Sequence, residues 1–516
     1  MNGAQSLIRT LVNCGVDVCF GNPGTSEMHF VAALDSVPEM RPVLCLFEGV
    51  ATGAADGYAR MADKPAAVLL HLGPGLANGL ACLHNARRAA VPIVNIVGDH
   101  ATYHLQYDAP LTSDITGFAR PVSSWVHSIK SSVTAATDAA LAVQAARAAP
   151  GHIATLIAPA DTMWNAADQA ARPLPHHGPH TVAAETIDHV AQLLRNGKRS
   201  AILMRGRELT GAGLEAAGRV AAKTGARLMC DLFSPRTELG AGRVAVERLP
   251  YLAEQIIQFM AGTEQLILVG TKPPASFFAY PSIPSWCSPK DCRFVVLAAE
   301  HEDTPRALEA LDAALGGAAP APARIALTLP PLPSGQLAPF TLAQAVVHLT
   351  PEQTIVVDEG VTTSLLMGPL LTRARPIDHL MATTGGAIGQ GLPVAVGAAV
   401  ACPDRKVVCI EGDGSAAYTM QSLWTMAREN LDVTVVLCAN RSYAVLRIEL
   451  ARVGATLGAG ERAMSMLDLH HPEMNWARIA EGMGVEASRA TTSEEFAAQY
   501  ASAMQQRGPR LIEALF

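Results

Sequence analysis

The stretch Lys406–Tyr443, KVVCIEGDGSAAYTMQSLWTMARENLDVTVVLCANRSY, decides the fold. Its two apolar runs, Val407–Ile410 and Val433–Cys438, are short and broken only by Thr434, and a segment long enough for a helix separates them. That pattern marks strands covered on both faces of a parallel sheet. Ligands of such sheets gather beyond the carboxyl ends of the strands. Gly412-Asp413-Gly414 ends the first run, and Asn440, 27 positions after Asp413, ends the second. A carboxylate and an amide on neighbouring strand ends form a hard-oxygen site. Mg²⁺ favours such oxygens and takes one or two carboxylates together with substrate phosphates. Asp413, Asn440 and the carbonyl of Ser442 would supply three ligands, leaving room for two diphosphate oxygens and a water; Ca²⁺ could substitute. Gly412 and Gly414 allow close backbone approach to an anion, and a helix opening after Ser415 would aim its N-terminal dipole there. A lone Gly-Asp-Gly is usually an ordinary turn; the offset to Asn440 is what turns the reading toward a metal.

The same alternation of apolar runs and helical stretches extends through the chain. VDVCFG, PVLCLF, AAVLLHL, PIVNIVG and IATLIA read as strands in the first third, with helices over 49–61 and 78–89. SAILMRG, ARLMCD, QLILVG and RFVVLA follow, and TIVVDEG and RLIEALF join the two decisive runs in the last third. Proline removes backbone donors and biases its predecessor away from helix, so RPLPHHGPH (172–180) and the tract 317–339 read as linkers. The expectation is three doubly wound parallel-sheet α/β domains in series, over 1–170, 181–318 and 338–516.

Of 516 residues, 49% are hydrophobic and 16% charged, which excludes a disordered solvating chain. A net charge of -7 with no basic run argues against a nucleic-acid partner. Ten scattered cysteines, with Cys287 and Cys292 the one close pair, read as reduced thiols, and Cys82 and Cys438 as core packing. Arg9 and Asp17 interrupt the first apolar segment, so it does not read as a signal peptide. No apolar run reaches 18 residues, so no membrane association is expected. A cytoplasmic enzyme is the expectation.

The spacing from Gly412-Asp413-Gly414 to Asn440 resembles the signature of thiamine-diphosphate (ThDP) enzymes, which usually close the motif with two asparagines; here Ala439 replaces the first. Glu48 followed by GVATGAADGYAR resembles that family's activating-glutamate segment. The resemblance implies that Glu48 bonds the aminopyrimidine ring and promotes proton removal from the thiazolium carbon; on its own, a Glu opening a helix is often only a dipole partner. FGNPGTSE (20–27) resembles the first-strand turn of the family's decarboxylases, bringing Pro23 and Gly24 to the cofactor. HLGPGLAN (71–78) resembles the loop after the third strand, ending at Asn78. GGAIGQGLP (385–393) resembles the segment that folds the cofactor, with the Gly386 carbonyl on the amino group and Ile388 as the wedge between the rings. Ser415 and Tyr443 complete the implied cofactor contacts. The first and last domains become the pyrimidine-binding and diphosphate-binding domains.

Family features also divide the activities. His71 and Thr25 match the catalytic histidine and serine of benzoylformate decarboxylase-type enzymes, and a histidine suits proton transfer near neutral pH. His100, His104, Leu111, Val445 and Leu446 are candidates to line the substrate pocket. A second catalytic histidine has no counterpart; GTKPPASFFAY (270–280) carries Phe277 and Phe278 instead. Acetolactate synthases resemble the chain at GPGLANG and IGQGLP, but RSYAVLRIEL after Asn440 lacks their Met and Gln-Trp-Gln element, which also leaves FAD unsupported. The expectation is non-oxidative decarboxylation of a small 2-oxo acid, with capacity to join the resulting enamine to an aldehyde or a second 2-oxo acid. Acetolactate synthase-type carboligation is the alternative. The family implies a homodimer or homotetramer with active sites at the subunit interface. Two other classes stay open: an NAD-dependent dehydrogenase, from Gly73, Gly75, Gly79 and Asp99, and a silent ThDP-binding subunit, which would have no chemical need for Glu48. His176-His177 and His470-His471, beside prolines, read as surface pairs.

Overall fold

The computed structural model describes residues 1–176, 178–318, 320–455 and 460–516. His177 and position 319, both in the proline-rich tracts, lie outside the described residues. His176, His470 and His471 are exposed.

Three sheets follow one another along the chain. The first contains β1 (Val18–Asn22), β2 (Arg41–Leu44), β3 (Ala66–Leu70), β4 (Ile93–Asp99), β5 (Trp125–Ser128) and β6 (Ile153–Pro159) in the order β2-β1-β3-β4-β6-β5. The middle third supplies β7 (Ser200–Met204), β8 (Arg227–Cys230), β9 (Thr237–Leu239), β10 (Glu247–Arg248), β11 (Gln265–Val269) and β12 (Arg293–Ala298). All of these except β9 form one sheet, β10-β8-β7-β11-β12. The last sheet contains β13 (Ile355–Glu359), β14 (Ile377–Met381), β15 (Val407–Gly412), β16 (Val433–Ala439), β17 (Glu486–Ala490) and β18 (Arg510–Leu515). Its order is β17-β18-β16-β15-β13-β14-β9, with β9 pairing antiparallel on β14 and every other pair parallel.

The near-continuous apolar runs became strands because helices cover both sheet faces; β3, β13 and β16 are buried along their whole length. Strands that sequence reading passed over lack that signature. β5 and β17 are partly exposed edges, β9 and β10 are two or three residues long, and buried β14 carries Asp378 and His379. Two helices begin earlier than expected. Leu72–Arg88 absorbs the expected loop, since Pro74 in a first turn forfeits no helical hydrogen bond. Asp413–Thr419 starts at the aspartate itself, not after Ser415.

Strand order reverses between β1 and β3 in the first sheet and between β13 and β15 in the last, which creates a crevice at each place. The two outer domains are joined through the helices Glu48–Ala62 and Gly391–Ala401. A Cβ at Gly397 would overlap the Ala54 carbonyl, and one at Gly57 would overlap the Val394 carbonyl, so glycine alone permits this approach. Between the helices the buried Arg60 guanidinium grips Asp56 through Nε (2.7 Å) and Nη2 (2.5 Å). It also donates to the Met381 carbonyl, and Gln390 Nε2 donates to Asp56 at 2.7 Å. Every charge in the joint is therefore paired and hydrogen-bonded.

Candidate active site

Asn22, Pro23 and Gly24 leave β1, and His71 leaves β3, on either side of the first sheet's reversal. A Cβ on Gly24 would overlap the imidazole of His71, so this glycine lets the ring lie across the turn. Glu27 Oε2 stands 2.8 Å from His71 Nδ1 and accepts the Gly24 amide at 2.7 Å, while Ser26 Oγ donates to Glu27 Oε1 at 2.6 Å. Because the carboxylate only accepts, Nδ1 carries the ring proton in this pairing and Nε2 is left as a base.

A cavity of about 260 Å³ opens here. Thr25, His71, His100, His104 and Leu111, all expected at the site, line it together with Asp99 and Trp164. His100 Nε2 is buried with no hydrogen-bond partner among the described residues, and burial raises the Asp99 carboxyl above its usual range. The lining comes wholly from the first domain. Val445 and Leu446, also expected at the pocket, lie on the helix Ala444–Arg452 of the last domain and do not border this cavity within one chain.

Glu48 is the first residue of the helix Glu48–Ala62, four positions beyond β2, and is buried. Asn22 Nδ2 donates to its Oε1 at 3.2 Å and Asn78 Nδ2 to its Oε2 at 2.9 Å. The glycines behind the dehydrogenase reading serve packing: a Cβ on Gly75 would lie 3.5 Å from Glu48 Oε1, and one on Gly79 would lie 2.8 Å from Thr52.

At the reversal of the last sheet, Asp413 follows β15. Its Oδ1 accepts the Gly414 amide at 2.8 Å and its Oδ2 the Arg441 amide at 2.6 Å. Burial raises this carboxyl despite those amides, an environment that favours a bound cation. Asn440 Oδ1 accepts the Ser442 amide at 2.9 Å, and Arg441 takes a φ of 52° to turn the chain between them. A Cβ at Gly414 would meet the Tyr443 ring at 2.5 Å, so Gly412, Gly414, Ser415 and Tyr443 share one tight turn region with Asp413. This hard-oxygen set fits a divalent cation and a diphosphate.

Gly386, at φ 86°, and Ile388 lie on the segment leading into Gly391–Ala401. Asn85 of the first domain fixes that segment, accepting from the Gly385 and Ala387 amides and donating to the Ala387 carbonyl at 2.7 Å. From below, Glu359 accepts the Gly389 amide at 2.7 Å and also the Gly391 amide. Glu359 pairs in register with fully buried Glu411; burial raises both carboxyls, with the charge of Asp358 adding to it at Glu359 and that of Glu359 at Glu411. Sequence reading passed over Asn22, Ser26, Glu27, Asn85, Glu359 and Glu411. Asn22, Ser26 and Glu27 stood inside a quoted motif, whereas Asn85 and Glu411 sit in helix and strand with no local signal.

Residues 1–119 match the family described as thiamine pyrophosphate enzyme, N-terminal TPP binding domain, and residues 361–514 match its C-terminal TPP binding domain. A Mycobacterium tuberculosis protein bearing the name "Putative acetolactate synthase large subunit IlvX" is 52% identical over 100% of this chain and 99% of its own. The chain belongs to the thiamine pyrophosphate enzymes. Benzoylformate decarboxylase of Pseudomonas aeruginosa is 27% identical across 97% of this chain and 96% of its own. Among solved structures, a thiamine diphosphate-dependent 4-hydroxybenzoylformate decarboxylase of Rhodococcus jostii RHA1 superposes with a TM-score of 0.87 at 22% identity, covering 99% and 98% of the two chains. That likeness establishes the fold. The chain is thus a thiamine-diphosphate-dependent enzyme of the decarboxylase and acetolactate-synthase group, with a TPP-binding domain at each end. Among the described residues no helix is long and apolar enough to cross a membrane.

Proposed function

We propose that this thiamine pyrophosphate enzyme carries out Mg²⁺-dependent, non-oxidative decarboxylation of a small 2-oxo acid, and can join the product fragment to an aldehyde or a second 2-oxo acid. The observation that carries the reading is the histidine in the cavity, His71, held through Nδ1 by Glu27 with Nε2 free. A decarboxylase must return a proton to the carbon that lost CO₂, and an oriented imidazole near neutral pH does this well.

Bound thiamine diphosphate supplies the electron sink for loss of CO₂. Asp413, Asn440 and the Ser442 carbonyl would hold Mg²⁺ and the diphosphate. Glu48, buried and steadied by Asn22 and Asn78, would hold a proton at the pyrimidine ring. Gly386 and Ile388 would shape the cofactor's fold. Thr25 offers a hydroxyl donor beside His71 for the substrate carboxylate, and Leu111 and Trp164 give the cavity an apolar wall. Since the cavity and the Asp413 turn belong to different domains, we assign the complete site to a homodimer or a dimer of dimers, with Glu48 of one subunit serving the last domain of another.

An acetolactate synthase-type carboligase is the second reading, favoured by the name of the 52% identical relative. Incubating the enzyme with pyruvate, benzoylformate and branched 2-oxo acids, and measuring CO₂ and products, separates the two. Aldehyde released from one of these acids supports the decarboxylase. Acetolactate as the sole product overturns it.

A further inference from the structure

The helix Ala444–Arg452 follows directly on the Asn440–Ser442 turn, yet none of its residues is buried, and Leu446 and Ile448 are exposed. With no apolar face in the core, burial does not hold it in place. Polar contacts do. At its start Ser442 Oγ donates to the Leu467 carbonyl at 3.1 Å, and the Tyr443 amide donates to the same oxygen at 3.0 Å. At its other end the middle domain takes hold. Tyr280 Oη donates to Glu449 Oε2 at 2.7 Å, and Tyr251 Oη approaches Oε1 at 3.5 Å. Arg452 lies over the Tyr280 ring, 4.1 Å from its centroid, and pairs with Glu254 at 3.0 Å. The side chains of Glu449 and Arg452 are only 14% and 13% exposed, so the contacts between them and the tyrosines are partly shielded from water and worth more than a surface pair, whereas Glu254 is half exposed and adds less.

The same aromatic cluster reaches the cofactor-folding segment. Tyr251 packs tilted against Phe277 with ring centroids 5.8 Å apart, and a Cβ on Gly386 would lie 2.7 Å from that Phe277 ring. One middle-domain surface therefore touches both Gly386 and the helix bearing Val445 and Leu446.

We infer that Glu449, gripped by Tyr251 and Tyr280, is a positioning residue that sets the helix Ala444–Arg452 against the middle domain and so fixes where Val445 and Leu446 meet the substrate. The inference rests on the reading that these two residues line the substrate pocket. Burial and the adjacent Glu449 raise both tyrosine hydroxyls, which keeps them as donors throughout the neutral range.

The test uses the full-length protein and two measurements. Hydrogen exchange of the segment 444–452 without cofactor is expected to speed up about tenfold in Glu449→Ala and Tyr280→Phe, as for loss of a hydrogen bond to a charged acceptor. Glu449→Gln, whose amide oxygen still accepts, is expected to restore most of the protection. Exchange of β16 should not change, which reports an intact core. In kinetics with the best 2-oxo acid, Glu449→Ala should raise KM several-fold while kcat stays within about twofold. Wild-type exchange across 444–452 in both variants overturns the inference, and so does a fall in kcat with unchanged KM. If the wild-type enzyme turns over no 2-oxo acid, the functional reading fails, and the exchange result still judges the latch.

Discussion

Glu27 and His71 are 44 positions apart, yet Glu27 Oε2 lies 2.8 Å from His71 Nδ1 across the mouth of the first sheet. The pairing selects the ring tautomer that presents Nε2 to the cavity. Glu27→Gln replaces an obligate acceptor with a group that can also donate, so the tautomer is no longer imposed. Decarboxylation should slow about 10- to 100-fold, the value of a charge-assisted hydrogen bond, with the melting temperature nearly unchanged. Steady-state kinetics beside thermal denaturation checks this.

Glu48→Gln keeps the size of the side chain, and its one remaining oxygen still accepts from Asn22 or Asn78, while the other asparagine must turn its carbonyl toward the new NH₂. It removes the ability to hold or release a proton. Turnover should fall by roughly 10²- to 10⁴-fold, while thiamine diphosphate still binds in calorimetry with Mg²⁺ present. Undiminished turnover would falsify the role given to Glu48.

Asp413→Ala takes the one carboxylate from the hard-oxygen set. Mg²⁺-dependent affinity for thiamine diphosphate should drop at least about a hundredfold, with secondary structure intact by circular dichroism. Asn440→Ala should act in the same direction but less, because it removes a neutral ligand. Equal affinity in Asp413→Ala and wild type would exclude the proposed cation site.

The joint between the outer domains depends on glycine. At Gly397 even an alanine methyl collides with the Ala54 backbone, which cannot swing away as a side chain could. Gly397→Ala should destabilise the protein by about 1–3 kcal/mol, the usual range for overpacking, measured by denaturant unfolding. Gly197→Ala is a poor control because that residue sits at φ 78°. Gly482→Ala, with nothing within 4 Å of its added Cβ and no positive φ, should leave stability nearly unchanged.

Burial pushes the Cys19, Cys45, Cys230 and Cys438 thiols up to about 12. The folded-state values lie above the unfolded one, so their contribution to stability is complete below pH 9. It declines as rising pH ionises the unfolded chain, through to about pH 12. Unfolding midpoints should therefore hold steady from pH 7 to 8.5 and fall above pH 9. At pH 8 a thiol reagent should modify Cys402 first, since the other nine cysteines are buried. Rapid modification of all ten in the native protein would contradict this packing.

Much of the fold was legible because a parallel sheet covered on both faces writes its strands as near-continuous apolar runs. β3, β13, β15 and β16 are of that kind, and the Asp413-to-Asn440 spacing followed from two neighbouring strand ends. β14 was hidden because Asp378 is buried through ion pairs with Arg236 and Arg405, and His379 through a hydrogen bond with Asp358, that local sequence does not show. β9 was hidden because three residues in the middle third complete an edge of the last sheet.

By itself, the sequence determined the buried strands, the family and the chemical types at the strand ends, because those depend on local periodicity and on motifs a few residues long. Only the tertiary structure decided that Glu27 orients His71, that Asn85 and Glu359 hold the segment before Gly391–Ala401, and that Asp56 and Arg60 join two domains instead of facing a ligand. These relations are set where separate strands and helices meet, and a hydrogen bond between residues 30 to 334 positions apart leaves no periodic trace in the chain.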